Sequence, residues 1–381
     1  LRWPTRYTSS WRIVWCDAGE GLADRAAART LALGFPNVAV LDGGIAAWAA
    51  AGHRLYSGVH VPSKAFAEVV EHERGTPWID AAELKRLIDT KADYALFDTR
   101  SYEEFRNNSI PTAVSAPGAE IVARFADMVP SPDTLVVVNC GGRTRSIVGA
   151  QALIDAGVPN KVVSLKNGTQ DWHLYGYDVV KGATARAPAA SPAGSAAARR
   201  RADGVARRFA VPRIDEAALA AWRAEADART LYVFDVRAPE DYAVGHIPGM
   251  KGIAGGQLVQ ETDRHAPVWG ARIVCVDDDG VRATMTVHWL RQMGWDAAAL
   301  TLPADRLGPA KGAWRPTVLG LRDAPTIDAA ALRARLADVA VIDLDWHSAY
   351  RAGHIPGAAY GIRARLDTIL PGLGGRQAVL T

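Results

Sequence analysis

The chain has 381 residues, 49% of them hydrophobic and 22% charged, with a net charge of +3. That length holds two to four ordinary domains with real cores, and so small a charge gives no reason to expect nucleic-acid binding. No apolar run reaches the roughly 18 residues a membrane-spanning helix needs, so no membrane segment is expected.

From Arg12 the chain reads "RIVWCDAGEGLADRAAARTLALG": a strand, a polar loop and a helix closed by Gly34. A short strand, Gly44 and Trp48 follow. This is the closing part of a domain, residues 1–57, without its opening half.

The next domain spans 76–181. Its first landmark, "YALFDTRSYEEFRNNSIPTA" from Tyr94, is an apolar strand ending in Asp98 and followed by an Ile-Pro turn. Its second, "LVVVNCGGRTRSIVGAQALIDAG" from Leu135, repeats the strand, loop and helix seen near the start. The helix is expected over 144–156, with Gly157 in the left-handed position that ends helices. Leu165, Gly168 and Trp172 then repeat the short strand, glycine and tryptophan.

Residues 182–209 are rich in Ala, Pro, Ser, Gly and Arg without apolar periodicity, and read as a flexible linker. The basic run "ARRRADGVARR" within it has no interleaved aromatics and reads as solvated charge. A further domain, 210–315, carries "YVFDVRAPEDYAVGHIPGM" and "RIVCVDDDGVRATMTVHWLRQMG" but no later glycine turn. A last one, 325–381, carries "AVIDLDWHSAYRAGHIPGA" and stops as its second strand begins, so the chain reads as a piece cut at both ends.

The repeat is metrical. Asp98 to Ile110, Asp235 to Ile247 and Asp343 to Ile355 are each twelve positions; Cys140 to Gly157, Asp277 to Gly294 and Asp17 to Gly34 are each seventeen. Short apolar strands alternating with helices of about a dozen residues predict βαβ units. The fold class is therefore α/β in tandem repeats, each a mainly parallel sheet flanked by helices. Loops at the carboxyl ends of such strands are where ligands bind, and the loop that begins at Cys140 has that place.

In Cys140-Gly141-Gly142-Arg143-Thr144-Arg145 the two glycines let successive amides curl into an anion-binding nest. The helix dipole and two arginines add positive charge, which favours the nucleophilic thiolate and a terminal sulfur anion. Cys140 is the candidate nucleophile. Gly141, Gly142, Arg143, Thr144 and Arg145 are the candidate substrate-binding residues, the arginines suited to paired oxygens of a small anion. Asp98 and Arg100 are expected to form a supporting ion pair near the sheet end. Three cysteines, Cys16, Cys140 and Cys275, match neither a disulfide framework nor a metal site. A reducing, cytoplasmic setting is therefore expected, with no metal and no cofactor; the periplasm stays open because the true N-terminus is not seen.

The strand-acid-Arg segment with its "GHIPGA" turn, the six-residue cysteine loop and the closing Gly-Trp segment together resemble the rhodanese superfamily. The resemblance implies a sulfurtransferase: Cys140 takes sulfane sulfur from a donor such as thiosulfate, holds it as a persulfide cradled by loop amides, and passes it to cyanide or a thiol. The implied partners are a small anionic sulfur donor and a thiol acceptor, with contacts between active and inactive repeats. Phosphatases sharing this fold carry a loop one residue longer, which places phosphatase or arsenate reductase chemistry second to sulfur transfer. A non-catalytic or sulfur-sensing module is the other alternative. Asp277 and Asp17 stand where Cys140 does and imply silent repeats; Arg282 keeps the place of Arg145, and Leu22 replaces it. Cys16 and Cys275 read as strand cysteines, Trp48 and Trp172 as core residues. Ser109 departs from the family's turn histidine, kept at His246 and His354.

Overall fold

The computed structural model describes residues 12–316, 320 and 323–381. Residues 1–11 of the first repeat lie outside the described residues. The chain forms two compact units, one from 55–317 and one joining 9–54 to 318–381.

The joined unit holds β1 (Ile13–Trp15), α1 (Leu22–Ala32), β2 (Val38–Val40) and α2 (Gly44–Ala50). β1 and β2 pair in parallel. This pair gives Trp48 no core: the side chain is 43% exposed, its indole N–H donating to the Arg54 carbonyl. Trp48 is thus not the core residue its position predicts.

In the larger unit, α3 (Val61–Arg74) precedes a five-stranded parallel sheet. Its strands are β3 (Trp78–Ile79), β4 (Tyr94–Asp98), β5 (Val114–Ser115), β6 (Leu135–Asn139) and β7 (Val162–Leu165), in the order β3-β7-β6-β4-β5. The helices are α4 (Ala81–Asp89), α5 (Tyr102–Asn107), α6 (Glu120–Met128), α7 (Thr144–Asp155) and α8 (Gly168–Leu174). β4 and β6 are continuous apolar runs because both faces are covered. Phe97, Val136 and Val138 pack with α6 and α7, whereas Leu96 and Val137 pack on the other face with Leu84 of α4 and Trp172 of α8. Gly157 closes α7 at φ 68°, the conformation only glycine adopts freely.

The segment at 182–209 departs from the linker expected. Residues Pro192–Arg208 form a helix, α9, capped by Ser191, whose Oγ accepts from the Gly194 amide at 3.0 Å. Gly194, Ala198, Ala202 and Val205 are buried in one stripe, and three of these join the same core as Phe125 of α6. Small side chains make a stripe that hydropathy hardly registers among so many arginines, yet they permit close helix contact.

The third repeat adds α10 (Glu216–Ala224), β8 (Leu231–Asp235), α11 (Pro239–Val244), β9 (Lys251–Gly252), α12 (Gly255–Gln260), α13 (Thr262–His265), β10 (Arg272–Asp277), α14 (Arg282–Gln292) and β11 (Asp296–Thr301). Its parallel sheet runs β11-β10-β8-β9. One hydrophobic core runs through both repeats, from Val138 and Ile147 to Ile273 and Met285. Asp155 and His288, both with side chains fully buried, meet across the boundary at 3.4 Å. The second and third repeats thus pack as one body.

In the joined unit, the fourth repeat contributes α15 (Ala329–Ala334), β12 (Val339–Asp343), α16 (His347–Ala352), β13 (Ala359–Tyr360), α17 (Leu366–Ile369) and β14 (Gln377–Leu380), with parallel order β13-β12-β14. No helix among the described residues is long and apolar enough to cross a membrane.

Candidate functional site

Cys140 directly follows β6, at the carboxyl edge of the central strand, and is 2% exposed. The loop it opens is braced from behind by α8. The Cys140 carbonyl accepts from the Thr169 amide at 2.9 Å and hydroxyl at 3.2 Å, and the Gly141 carbonyl from the Gln170 amide at 3.1 Å. Gly168 makes this possible: at φ +57°, a Cβ there would lie 2.2 Å from the Cys140 oxygen. Gly44 stands likewise against Asp17, where a Cβ would lie 2.4 Å from its oxygen. The glycine that recurs as Gly44 and Gly168 therefore allows a close approach between helix start and loop.

Asp98 and Arg100 are placed together at the neighbouring strand end. Arg100 donates to Asp98 through Nε (2.9 Å) and Nη2 (2.7 Å), and to the Asn108 carbonyl at 2.6 Å. Asn139 ties Asp98 to Thr169, its amide nitrogen 3.2 Å from the carboxylate and 3.0 Å from the hydroxyl. A Cβ on Gly141 would lie 3.6 Å from Arg100 Cδ and 3.9 Å from Arg145 Nη2. Both arginines thus flank the loop, with Arg100 committed to holding its floor.

Arg143 and Arg145 have different partners. Arg145 donates to both Glu104 oxygens at 2.7 Å and to Gln257 Oε1, in the third repeat, at 3.1 Å. Burial opposes its charge, but Glu104, then Cys140 and Asp98, hold its pKa above the ordinary value. Glu104 is itself kept below the usual carboxylate range, Arg145 outweighing burial. Arg143 instead turns to α3, donating to Glu68 at 2.6 and 2.7 Å and also to Glu71. Those hydrogen bonds push its pKa up. Thr144 begins α7, 9% exposed. An open cleft of about 500 Å³ lies between Gly142–Thr144, Lys64 and Glu68 of α3, and Asn167 and Gln170 at the start of α8.

The loops with aspartate show what this turn holds. Asp17 accepts amides from Gly19 (3.0 Å) and Ala23 (2.9 Å), two and six positions on, and the bonds from Ala23 and Gly19 lower its pKa. Asp277 accepts the Ala283 amide at 2.9 Å and the Thr301 hydroxyl at 2.9 Å. Counted from Cys140, the corresponding amides belong to Gly142 and Ser146. At Asp17 this place in the turn holds a carboxylate bound by backbone amides.

Asp277 differs from Asp17 in burial. Desolvation first, and the Asp279 carboxylate second, push it up to about 8 from 3.8. A raised carboxyl favours the fold in its protonated form: that contribution is full below 3.8 and is lost as pH rises through about 8. Thermal melting at a series of pH values is expected to show stability declining between about pH 4 and about pH 8. Asp277→Asn should flatten that decline; an unchanged slope counts against the assignment.

Cys275 is fully buried in β10, and burial pushes its thiol far up, so it is an inert strand residue; Cys16 is exposed. Trp172 is 1% exposed, its indole donating to the Asp178 carbonyl at 2.8 Å. Ser109 is buried and pairs through its backbone with Val180. Glu104, Glu68, Glu71 and Gln257 were not among the residues the sequence pointed to. Glu104 left a signal: it stands six positions after Asp98, as Asp241 does after Asp235.

A rhodanese-like domain model matches residues 6–51, 80–175 and 216–302. A crystal structure of a thiosulfate sulfurtransferase from Pseudomonas aeruginosa is 47% identical, with a TM-score of 0.92, over 98% of this chain and 71% of that one. The HTH-type transcriptional regulator Rv0324 of Mycobacterium tuberculosis is 30% identical over 105 residues, 28% of this chain and 45% of the regulator. The chain thus spans less than half of that regulator.

Proposed function

Because this chain belongs to the rhodanese-like domain family, we propose that its second repeat is a sulfurtransferase carrying sulfane sulfur on Cys140. The observation that carries this reading is the anion-holding turn: the amides two and six positions after Asp17 bind its carboxylate, and Cys140 takes the same place ahead of Gly142 and Ser146. The similarity to a thiosulfate sulfurtransferase over 98% of the chain supports the donor class.

In the proposed cycle the Cys140 thiolate attacks the outer sulfur of thiosulfate. A new S–S bond forms, the old one breaks, and its electron pair leaves with sulfite. The persulfide anion is held by the loop amides. Cyanide or a thiolate then takes the terminal sulfur, and the electron pair of the breaking bond returns to Cys140. The kinetics should be ping-pong. Arg145, beside Gly141, offsets the charge of donor and persulfide, while Arg100 and Asp98 support the loop. Arg143 is engaged by Glu68 and Glu71 and serves at the cleft edge. The repeats with Asp17 and Asp277 at the nucleophile position are silent, since a carboxylate cannot accept sulfane sulfur. Domain limits of 1–57, 76–181, 210–315 and 325–381 and a reducing cytoplasmic setting belong to the same proposal.

The test is intact mass after thiosulfate, with and without cyanide. A gain of one sulfur atom that cyanide removes, with continuing thiocyanate release, is the expected result. No gain from thiosulfate or any persulfide donor overturns the reading. Within it, Arg145→Ala should raise KM for thiosulfate by about tenfold or more, whereas Lys161→Ala, at an exposed position just before β7, leaves it unchanged. Equal effects in steady-state assays remove Arg145 from donor binding.

A further inference from the structure

The second and third repeats present equivalent side chains to each other, and one equivalence is broken. Glu104 and Asp241 stand six positions after the strand acids Asp98 and Asp235; Glu120 and Gln257 stand twenty-two after. Each loop arginine takes one partner from its own repeat and one from the other. Arg282 pairs with Asp241 at 3.5 Å and, across the boundary, with Glu120. Arg145 pairs with Glu104 and, across the boundary, with Gln257. Arg282 also meets Asp279 and, at 3.6 Å, Asp278, so its single charge faces four carboxylates. Arg145 faces one carboxylate and a neutral amide.

The amide's orientation follows from its neighbours. Arg145 can only donate, so Gln257 must turn its oxygen there. Its nitrogen donates to Glu261 Oε1 at 2.5 Å. Glu261 is pushed down to about 2, chiefly by His265, whose Nε2 lies 3.5 Å from its carboxylate, so it stays an acceptor at working pH. The corresponding residue in the second repeat is Arg124, which grips Glu120 at 2.6 Å. The third repeat thus clamps a neutral acceptor against Arg145, where the second clamps a carboxylate against Arg282.

We infer that Gln257 of the third repeat is a positioning residue for sulfur-donor binding at Cys140, fixing Arg145 beside the loop without cancelling its charge. The inference rests on the proposed sulfurtransferase reading. A hydrogen bond to a neutral oxygen fixes the guanidinium plane and leaves its field available to an incoming dianion, while a second carboxylate would add a negative charge beside the donor path. The silent repeat therefore supplies part of the active loop's electrostatics.

The experiment compares Gln257→Ala and Gln257→Glu with the unaltered full chain, using thiosulfate as donor and cyanide as acceptor at low and high salt. Gln257→Ala is expected to raise KM for thiosulfate about threefold, and Gln257→Glu about tenfold, with kcat nearly unchanged. The excess defect of the glutamate variant should shrink as salt rises, a response that loss of packing would not produce. Melting midpoints of all three proteins are read in parallel. KM values equal to the unaltered chain's overturn the inference. So do equal, salt-insensitive losses in both variants that track a lowered midpoint. An unaltered chain that loads no sulfur overturns the sulfurtransferase reading, and this inference with it.

Discussion

Cys140→Ser is expected to abolish sulfur loading, with thiocyanate formation falling at least about a thousandfold. The hydroxyl is protonated at neutral pH and forms no persulfide, so no weaker version of the same chemistry remains. The fold should tolerate the change, since serine is close to cysteine in size and the Cys140 carbonyl accepts from the Thr169 amide in either variant. A melting midpoint close to the original would separate lost chemistry from lost structure. Cys16→Ser is the matching control, and intact mass locates the added sulfur. Retention of the added sulfur by Cys140→Ser would place the nucleophile elsewhere.

Gly168→Ala is expected to be as damaging to activity and much more so to stability. A Cβ at this position meets three backbone atoms: the Cys140 oxygen at 2.2 Å, the Gly142 oxygen at 2.8 Å and the Cys140 carbon at 2.9 Å. None is the yielding end of a side chain, so either α8 withdraws or the loop deforms. The left-handed backbone and the overpacking together cost about 3 kcal/mol, and the thermal midpoint should fall by about 6 °C or more. Because the displaced atoms belong to the Cys140 loop, loading on the proposed mechanism should fail even at temperatures where the variant remains folded. Melting curves and mass spectrometry on one preparation check both parts. A variant that melts and loads normally would mean α8 does not brace the loop.

The legible part of this molecule lies in its repeats. Asp98 and Arg100, two positions apart, announce their ion pair because a strand end and the turn after it are local. Cys140 stands out for the same reason, since strand, loop and helix start are consecutive and the glycines mark the curl between them. The helix at 192–208 was missed because its buried face is made of Gly194, Ala198, Ala202 and Val205, whose weak hydropathy is swamped by the helix's many arginines. Trp48 was misjudged because a residue's position in a repeat says nothing about whether a sheet is present to cover it. Asp17 and Asp277, at the places equivalent to Cys140, were readable as aspartates. That the same residue type is a lowered carboxyl in one loop and a raised one in the other depends first on burial and then on the Asp279 carboxylate beside Asp277.

By itself, then, the sequence determined the repeated α/β units, the parallel strands and the place of the thiol, all carried by patterns within some twenty residues of one another. Only the tertiary structure decided how the charges are shared. It turned Arg143 to Glu68 and Glu71 on α3 and set Arg145 between Glu104 and Gln257. It also joined the second and third repeats through one core. The physical reason is that a strand or a nest is set by neighbours along the chain. The partner of a long, flexible guanidinium is set by whichever carboxylate or amide the packing of distant helices brings within about 3 Å.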